Sequence, residues 1–146
     1  MKIKITKLHK DAILPEYQTA GAAGADFHAC LDEPVTLQPM ERRMIPTGVA
    51  MEIPEGYEAQ IRARSGMSIK HGITMINGVG TIDSDYRGEF GVLLINLSQE
   101  PFTIEPGIRI AQMVVAKYER VEWQEVDELD ETERGGGGYG STGHSV

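Results

Sequence analysis

The chain has 146 residues, 40% of them hydrophobic, one cysteine and a formal net charge of −8. That length suits a single domain with a real core. A lone cysteine excludes an internal disulfide framework, and the acidic balance argues against general nucleic-acid binding, which needs basic surface to meet phosphates.

The N-terminus, Met1-Lys-Ile-Lys-Ile-Thr6, alternates as a strand does and lacks the apolar core of a signal peptide. No run approaches the length of a transmembrane helix. A soluble, cytoplasmic protein with no membrane partner is the expectation. Short apolar segments then recur at Ile3 to Ile5, Ala25 to Ala29, Val35 to Leu37, Arg42 to Ile45, Val49 to Ile53 and Tyr57 to Ala63. They continue at Ile73 to Ile76, Val92 to Leu97, Phe102 to Ile104 and Ile108 to Ala116. Turn residues such as Pro46-Thr-Gly48, Pro54-Glu-Gly56 and Glu105-Pro-Gly107 separate them. Strands so spaced, without sustained helical periodicity, predict an all-β sandwich or barrel.

Ala20-Gly-Ala-Ala-Gly-Ala-Asp26 sets an Asp after a small-residue loop, either as a turn residue or as part of a metal environment. The histidines, His9, His28, His71 and His144, show no metal-ligand spacing. Cys30 reads as a small core residue. One short helix is expected over Ser65 to Gly72, with Ser65 as its cap and Gly72 at positive φ. Arg64, Ser65 and Gly66 stand at this strand-to-helix junction. An Arg fork, a hydroxyl and the amides of a helix start can together hold an anion.

From Asn77 to Gly91, turn chemistry lies between two β-branched runs, predicting a β-hairpin with a long decorated tip. The tip carries Asp83, Asp85 and Tyr86, and its glycines let a ligand approach the backbone. Strict alternation over Arg109 to Met113 puts Arg109, Ala111 and Met113 on one face and Ile110 with Gln112 on the other. Gln112 is then either a hydrogen-bonded core or interface residue or a ligand contact. After about Val126 the chain stops looking like core. Residues 1–126 read as the domain and 127–146 as an acidic linker with a glycine-rich arm. Arg134 and Tyr139 punctuate that arm, which suits closure over a phosphate-bearing ligand.

Five stretches in order resemble the dUTPase family. They are Ala23 to Ala29, Ala63 to Ile73, Gly80 to Gly88, Gly107 to Met113 and Arg134 to Gly143. The resemblance spans nearly the whole chain and implies a jelly-roll subunit in a homotrimer with active sites shared between subunits. It implies Mg²⁺-assisted hydrolysis of dUTP to dUMP and pyrophosphate, which keeps uracil out of DNA and supplies dUMP for thymidylate synthesis. Carried over by position, Asp83 would deprotonate the attacking water and Asp26 would hold waters of the Mg²⁺ shell. Arg64, Ser65, Gly66 and Gln112 would bind phosphates. Asn77, Gly80, Thr81, Ile82 and Gly91 would form the uracil pocket, and Tyr86 would pack on the deoxyribose. Arg134 would clamp the γ-phosphate, Tyr139 would stack on uracil, and Ser141 and Thr142 would add phosphate contacts. Tyr139 stands where the family usually has Phe, and Ile108 where an acidic residue is common. The rivals are a dCTP deaminase of related fold and a non-catalytic nucleotide-binding module.

Overall fold

The computed structural model describes residues 1–144. In chain order the strands are β1 (Lys4–Lys7), β2 (Ala25–His28), β3 (Val35–Leu37), β4 (Arg42–Pro46), β5 (Val49–Glu52) and β6 (Tyr57–Arg62). The helix α1 (Ser65–His71) precedes β7 (Ile73–Met75), β8 (Gly80–Ile82), β9 (Gly91–Asn96), β10 (Phe102–Ile104) and β11 (Arg109–Lys117). The expected β-rich chain with one short helix is what forms. No strand follows Lys117 among the described residues.

Pairing is antiparallel throughout, in a four-stranded sheet β2-β11-β6-β8, a three-stranded sheet β4-β9-β7 and two pairs, β1-β5 and β10-β3. Antiparallel sheets bury one face and wet the other. Phe27, Ile45, Ile61, Phe90, Leu94 and Ile110 are fully buried in one cluster that the two larger sheets share.

Three sequence expectations change. The hairpin from 73 to 95 exists, with Met75 opposite Leu94 and Ile73 opposite Asn96. Its tip, however, contains a strand: β8 leaves for the other sheet and pairs with β6, setting Gly80 opposite Ile61 and Ile82 opposite Ala59. Ser65 is not the helix cap. Arg64 holds that position in extended conformation without a side-chain cap bond, and Ser65 is the first helical residue. Gly72 does close the helix in left-handed conformation, at φ 66°. Third, strict alternation fails at the start of β11. Arg109 lies opposite His28, yet Ala111 lies opposite Phe27, so one extra residue sits in the ladder. That bulge buries Ile110 and Ala111 together and returns Arg109 to the face that carries Gln112.

Candidate active site

The polar face of the β2–β11 pair gathers the first cluster. Register sets Gln112 opposite Asp26, and Asp26 is buried, at 8% exposure. Burying a carboxylate is costly unless it is paired. Asp26 Oδ1 meets Arg64 Nε at 3.3 Å and its Oδ2 meets Arg109 Nη1 at 3.2 Å. Arg64 Nη1 also donates to the Arg109 carbonyl at 3.2 Å, and Gln112 Nε2 donates to the Ala63 carbonyl at 3.1 Å. Gly24 makes room for this: a Cβ there would come within 3.1 Å of Gln112 Cδ. Ser65 and Gly66 open α1 beside the cluster, exposed, where first-turn amides have no partner inside the helix. Two guanidiniums, a primary amide and free amides therefore surround one carboxylate, which is a donor set for phosphate oxygens. Arg109 is the member that sequence reading left out, because its face depends on the bulge.

The second cluster is a cleft of about 290 Å³ inside the hairpin. Asn77, Gly80, Thr81 and Ile82 line it with Asp83, Tyr86 and Gly91, so the expected pocket residues do converge. Met44, Met75 and Leu93 supply apolar wall, and none of these was legible as a site residue. Met44 can lie across β9 because Gly91 has no side chain; a Cβ there would stand 2.7 Å from its sulfur. The size is at the small end for ligand pockets and suits a nucleoside moiety.

Tyr86 is held from several directions. Its hydroxyl donates to the Glu89 carbonyl at 2.8 Å, and its ring lies 6.0 Å from that of Phe90, itself 6.1 Å from Phe27 in the core. The Glu89 carboxylate accepts the Gly48 N–H at 2.8 Å, tying this turn to the loop before β5.

A larger cleft, about 780 Å³, opens on the other side of Asp83, between the 83–87 turn and Tyr118 to Arg120. Glu55, Glu58, Asp85 and Glu119 line it with Asp83, so its balance is acidic despite Arg87 and Arg120. Such a wall repels a triphosphate; the smaller cleft, with its glycine backbone, is the better seat for a base. Asp83 stands in the wall that both clefts share.

The two clusters lie apart. Asp26 is on β2 and Asp83 follows β8, three strand spacings across the sheet, or roughly 14 Å. They also sit toward opposite ends of β6, where Gln112 faces Arg62 and Ile82 faces Ala59. The arm joins neither cluster. Arg134, Tyr139, Ser141 and Thr142 are exposed, and among the described residues the hydrogen bonds of that segment run only within 132–143, such as Arg134 Nε to the Gly137 carbonyl at 2.7 Å. The last two residues of the expected 127–146 arm lie outside the described residues.

No group of three His, Cys, Asp or Glu among the described residues could hold a metal ion by itself. The donor set fits an ion that arrives with phosphates and keeps its waters, as Mg²⁺ does; Asp26 can meet such waters only from between its two arginines. No helix among the described residues is long and apolar enough to cross a membrane.

A β-rich chain with an arginine-rich anion cluster and a glycine-walled nucleoside cleft is a nucleotide-binding protein. The chain belongs to the dUTPase family, whose model matches residues 10–143. It is 58% identical over 138 residues to the deoxyuridine 5'-triphosphate nucleotidohydrolase of Treponema denticola, covering 94% of this chain and 96% of that one. The protein of the same name from Finegoldia magna is 56% identical over 144 residues, covering 99% and 100%. Among solved structures, the dUTPase of Staphylococcus bacteriophage 80alpha with dUpNHpp superposes with a TM-score of 0.89 at 30% identity, covering 98% of this chain and 99% of that one. A dUTPase from phage phi11 of S. aureus, at TM-score 0.81, 26% identity and coverage of 90% and 100%, is described with a coordinated structural Mg(II) ion.

Proposed function

We propose that the chain acts as the dUTP diphosphatase its family membership makes it, taking uracil and deoxyribose into the hairpin cleft and hydrolysing dUTP to dUMP and pyrophosphate. The observation that carries this is the convergence of Asn77, Gly80, Thr81, Asp83 and Tyr86 on one cleft. Backbone of the Gly80–Ile82 strand meets the uracil edge, leaving no space for a 5-methyl group. Tyr86 packs on the deoxyribose where a 2′-hydroxyl would have to go. Asp83 takes a proton from water; the water oxygen bonds to the α-phosphorus, the bond from that phosphorus to the bridging oxygen breaks, and pyrophosphate leaves.

Phosphates bind Arg64, Ser65, Gly66 and Gln112, with Arg109 beside them. The separation of that cluster from Asp83 within one chain supports a jelly-roll subunit assembled as a homotrimer, in which one subunit's hairpin meets another's phosphate cluster. That the arm makes no hydrogen bond to the body among the described residues supports delivery of Arg134, Tyr139, Ser141 and Thr142 to a shared site. Bound Mg²⁺ would neutralise phosphate charge, with Asp26 hydrogen-bonded to its water shell. The setting is cytoplasmic, where the reaction keeps uracil out of DNA and supplies dUMP.

The test is incubation with dUTP, dTTP, dCTP and UTP plus Mg²⁺, with products separated by ion exchange. Conversion of dUTP alone to dUMP and pyrophosphate is expected. Formation of dUTP from dCTP would instead indicate a deaminase, and no turnover would leave a nucleotide-binding module. Asp83→Asn should keep affinity for dUpNHpp and lose about 10²–10⁴-fold in kcat.

A further inference from the structure

We propose that Arg87 is a positioning residue that locks the Asp83 turn into its working geometry; the inference rests on the function proposed above. The turn is short and exposed. Tyr86 N–H donates to the Asp83 carbonyl at 3.2 Å, while Asp83, Asp85, Tyr86 and Arg87 are all exposed. A segment with so little burial opens locally at small cost unless it is cross-linked.

Arg87 supplies the cross-link. Its Nη1 donates to the Ser84 carbonyl at 2.7 Å and to the Tyr86 carbonyl at 3.0 Å. One nitrogen of a rigid fork thereby joins the residue after Asp83 to the residue that packs on the sugar.

The same side chain reaches the body of the subunit. Arg87 lines a small cleft with Lys4, Ala50 and Glu52, where β1 and β5 pair. The hydrogen bond from Lys4 and then its charge hold the Glu52 carboxyl below its usual range, and the Arg87 charge adds a smaller pull in the same direction. At the other end, Ser84 Oγ stands 3.5 Å from the Tyr118 hydroxyl, at the exit of β11. The ladder of β8 on β6 fixes the chain up to Ile82; beyond it the Asp83 carboxylate has no hydrogen-bond or ion-pair partner among the described residues, so its aim depends on the turn that Arg87 holds. In the sequence Arg87 is one residue of the turn chemistry between Asn77 and Gly91; its role appears once the fork folds back on the turn.

The experiment compares wild-type protein with Arg87→Met and Arg87→Lys. It measures kcat on dUTP, the dissociation constant for dUpNHpp, the preference for dUTP over UTP, and the thermal melt. Displacing a catalytic group by about an ångström costs on the order of 10²-fold, and that loss in kcat is expected for Arg87→Met while dUpNHpp affinity stays near wild type. The sugar preference should narrow, since Tyr86 shares the staple, and Arg87→Lys should recover part of kcat. Wild-type kcat in a folded Arg87→Met variant would overturn the inference, as would a loss of affinity equal to the loss of kcat. Should Arg87→Met fail to fold, the same comparison of kcat with affinity in Arg87→Lys decides. Failure of the wild type to hydrolyse dUTP would be failure of the activity itself; a normal wild type with an unaffected Arg87→Met would be failure of this inference alone.

Discussion

The ring of Tyr86 occupies the space that a side chain at Gly88 would need. A Cβ built on Gly88 stands 2.6 Å from Tyr86 Cζ, and its nearest neighbours are all atoms of that one phenol. The phenol cannot swing away freely, because its hydroxyl is bonded to the Glu89 carbonyl at 2.8 Å. Gly88→Ala is therefore expected to push Tyr86 toward the sugar position. kcat/KM for dUTP should fall about 10–100-fold, on the scale of a displaced site group, while the fold survives. Steady-state kinetics with dUTP and UTP check this; unchanged dUTP kinetics would mean that the ring position is not critical.

Asp26 holds Arg64 and Arg109 together, and the isosteric Asp26→Asn would leave both guanidiniums without their anion. Both arginines are partly exposed, at 27% and 42% of their side chains, so water takes up part of the loss. A destabilisation of about 1–3 kcal/mol is expected, measured by denaturant unfolding. The Mg²⁺ concentration for half-maximal velocity should rise. A variant with wild-type stability and Mg²⁺ dependence would show that neither role belongs to Asp26.

Cys30 is wedged beside Gly48, whose φ is +71° and where a Cβ would stand 2.7 Å from the Cys30 sulfur. Burial, followed by the charges of Glu89, Asp11 and Asp32, pushes its thiol above the ordinary range. The folded protein thus holds this proton more tightly than the unfolded chain does. The associated stability is fully present below the ordinary thiol pKa of about 8.5 and is lost as pH rises through the folded value. Alkylation by iodoacetamide at pH 8 should run slower than for a small free thiol. An equal rate would place Cys30 in open solvent.

Truncation before Arg134 removes residues whose hydrogen bonds, among the described residues, run to one another and to Thr132 beside them in the arm. The shortened protein should keep its melting temperature within a few degrees, because no core residue is lost. Its turnover of dUTP should collapse, since the arm is proposed to close the site. Thermal melts and steady-state rates read the two effects separately. A truncated protein with full activity would remove the arm from the mechanism.

Local pattern was enough for much of this molecule. Val35 to Leu37 and Phe102 to Ile104 were bounded to the residue, because apolar runs between turn signals depend on nearest neighbours alone. The motif order from Ala23 to Gly143 pointed to the family and to the hairpin residues that line the cleft. Gly72 was legible as well, since few other residues end a helix in left-handed conformation without strain.

Partners distant in sequence decided the rest. β8 reads as a turn because Gly80-Thr-Ile82 is short and glycine-led, and it becomes a strand only where β6 offers it a ladder. Arg109 was assigned to the wrong face because a bulge is a property of two strands and has no period of its own. The pairing of Asp26 with Arg109, 83 positions away in the chain, follows from that bulge, and its pairing with Arg64, 38 positions away, follows from the register of β11 between β2 and β6. Hydrophobic period sets which residues turn inward on each strand, but only the register between strands decides which side chains meet.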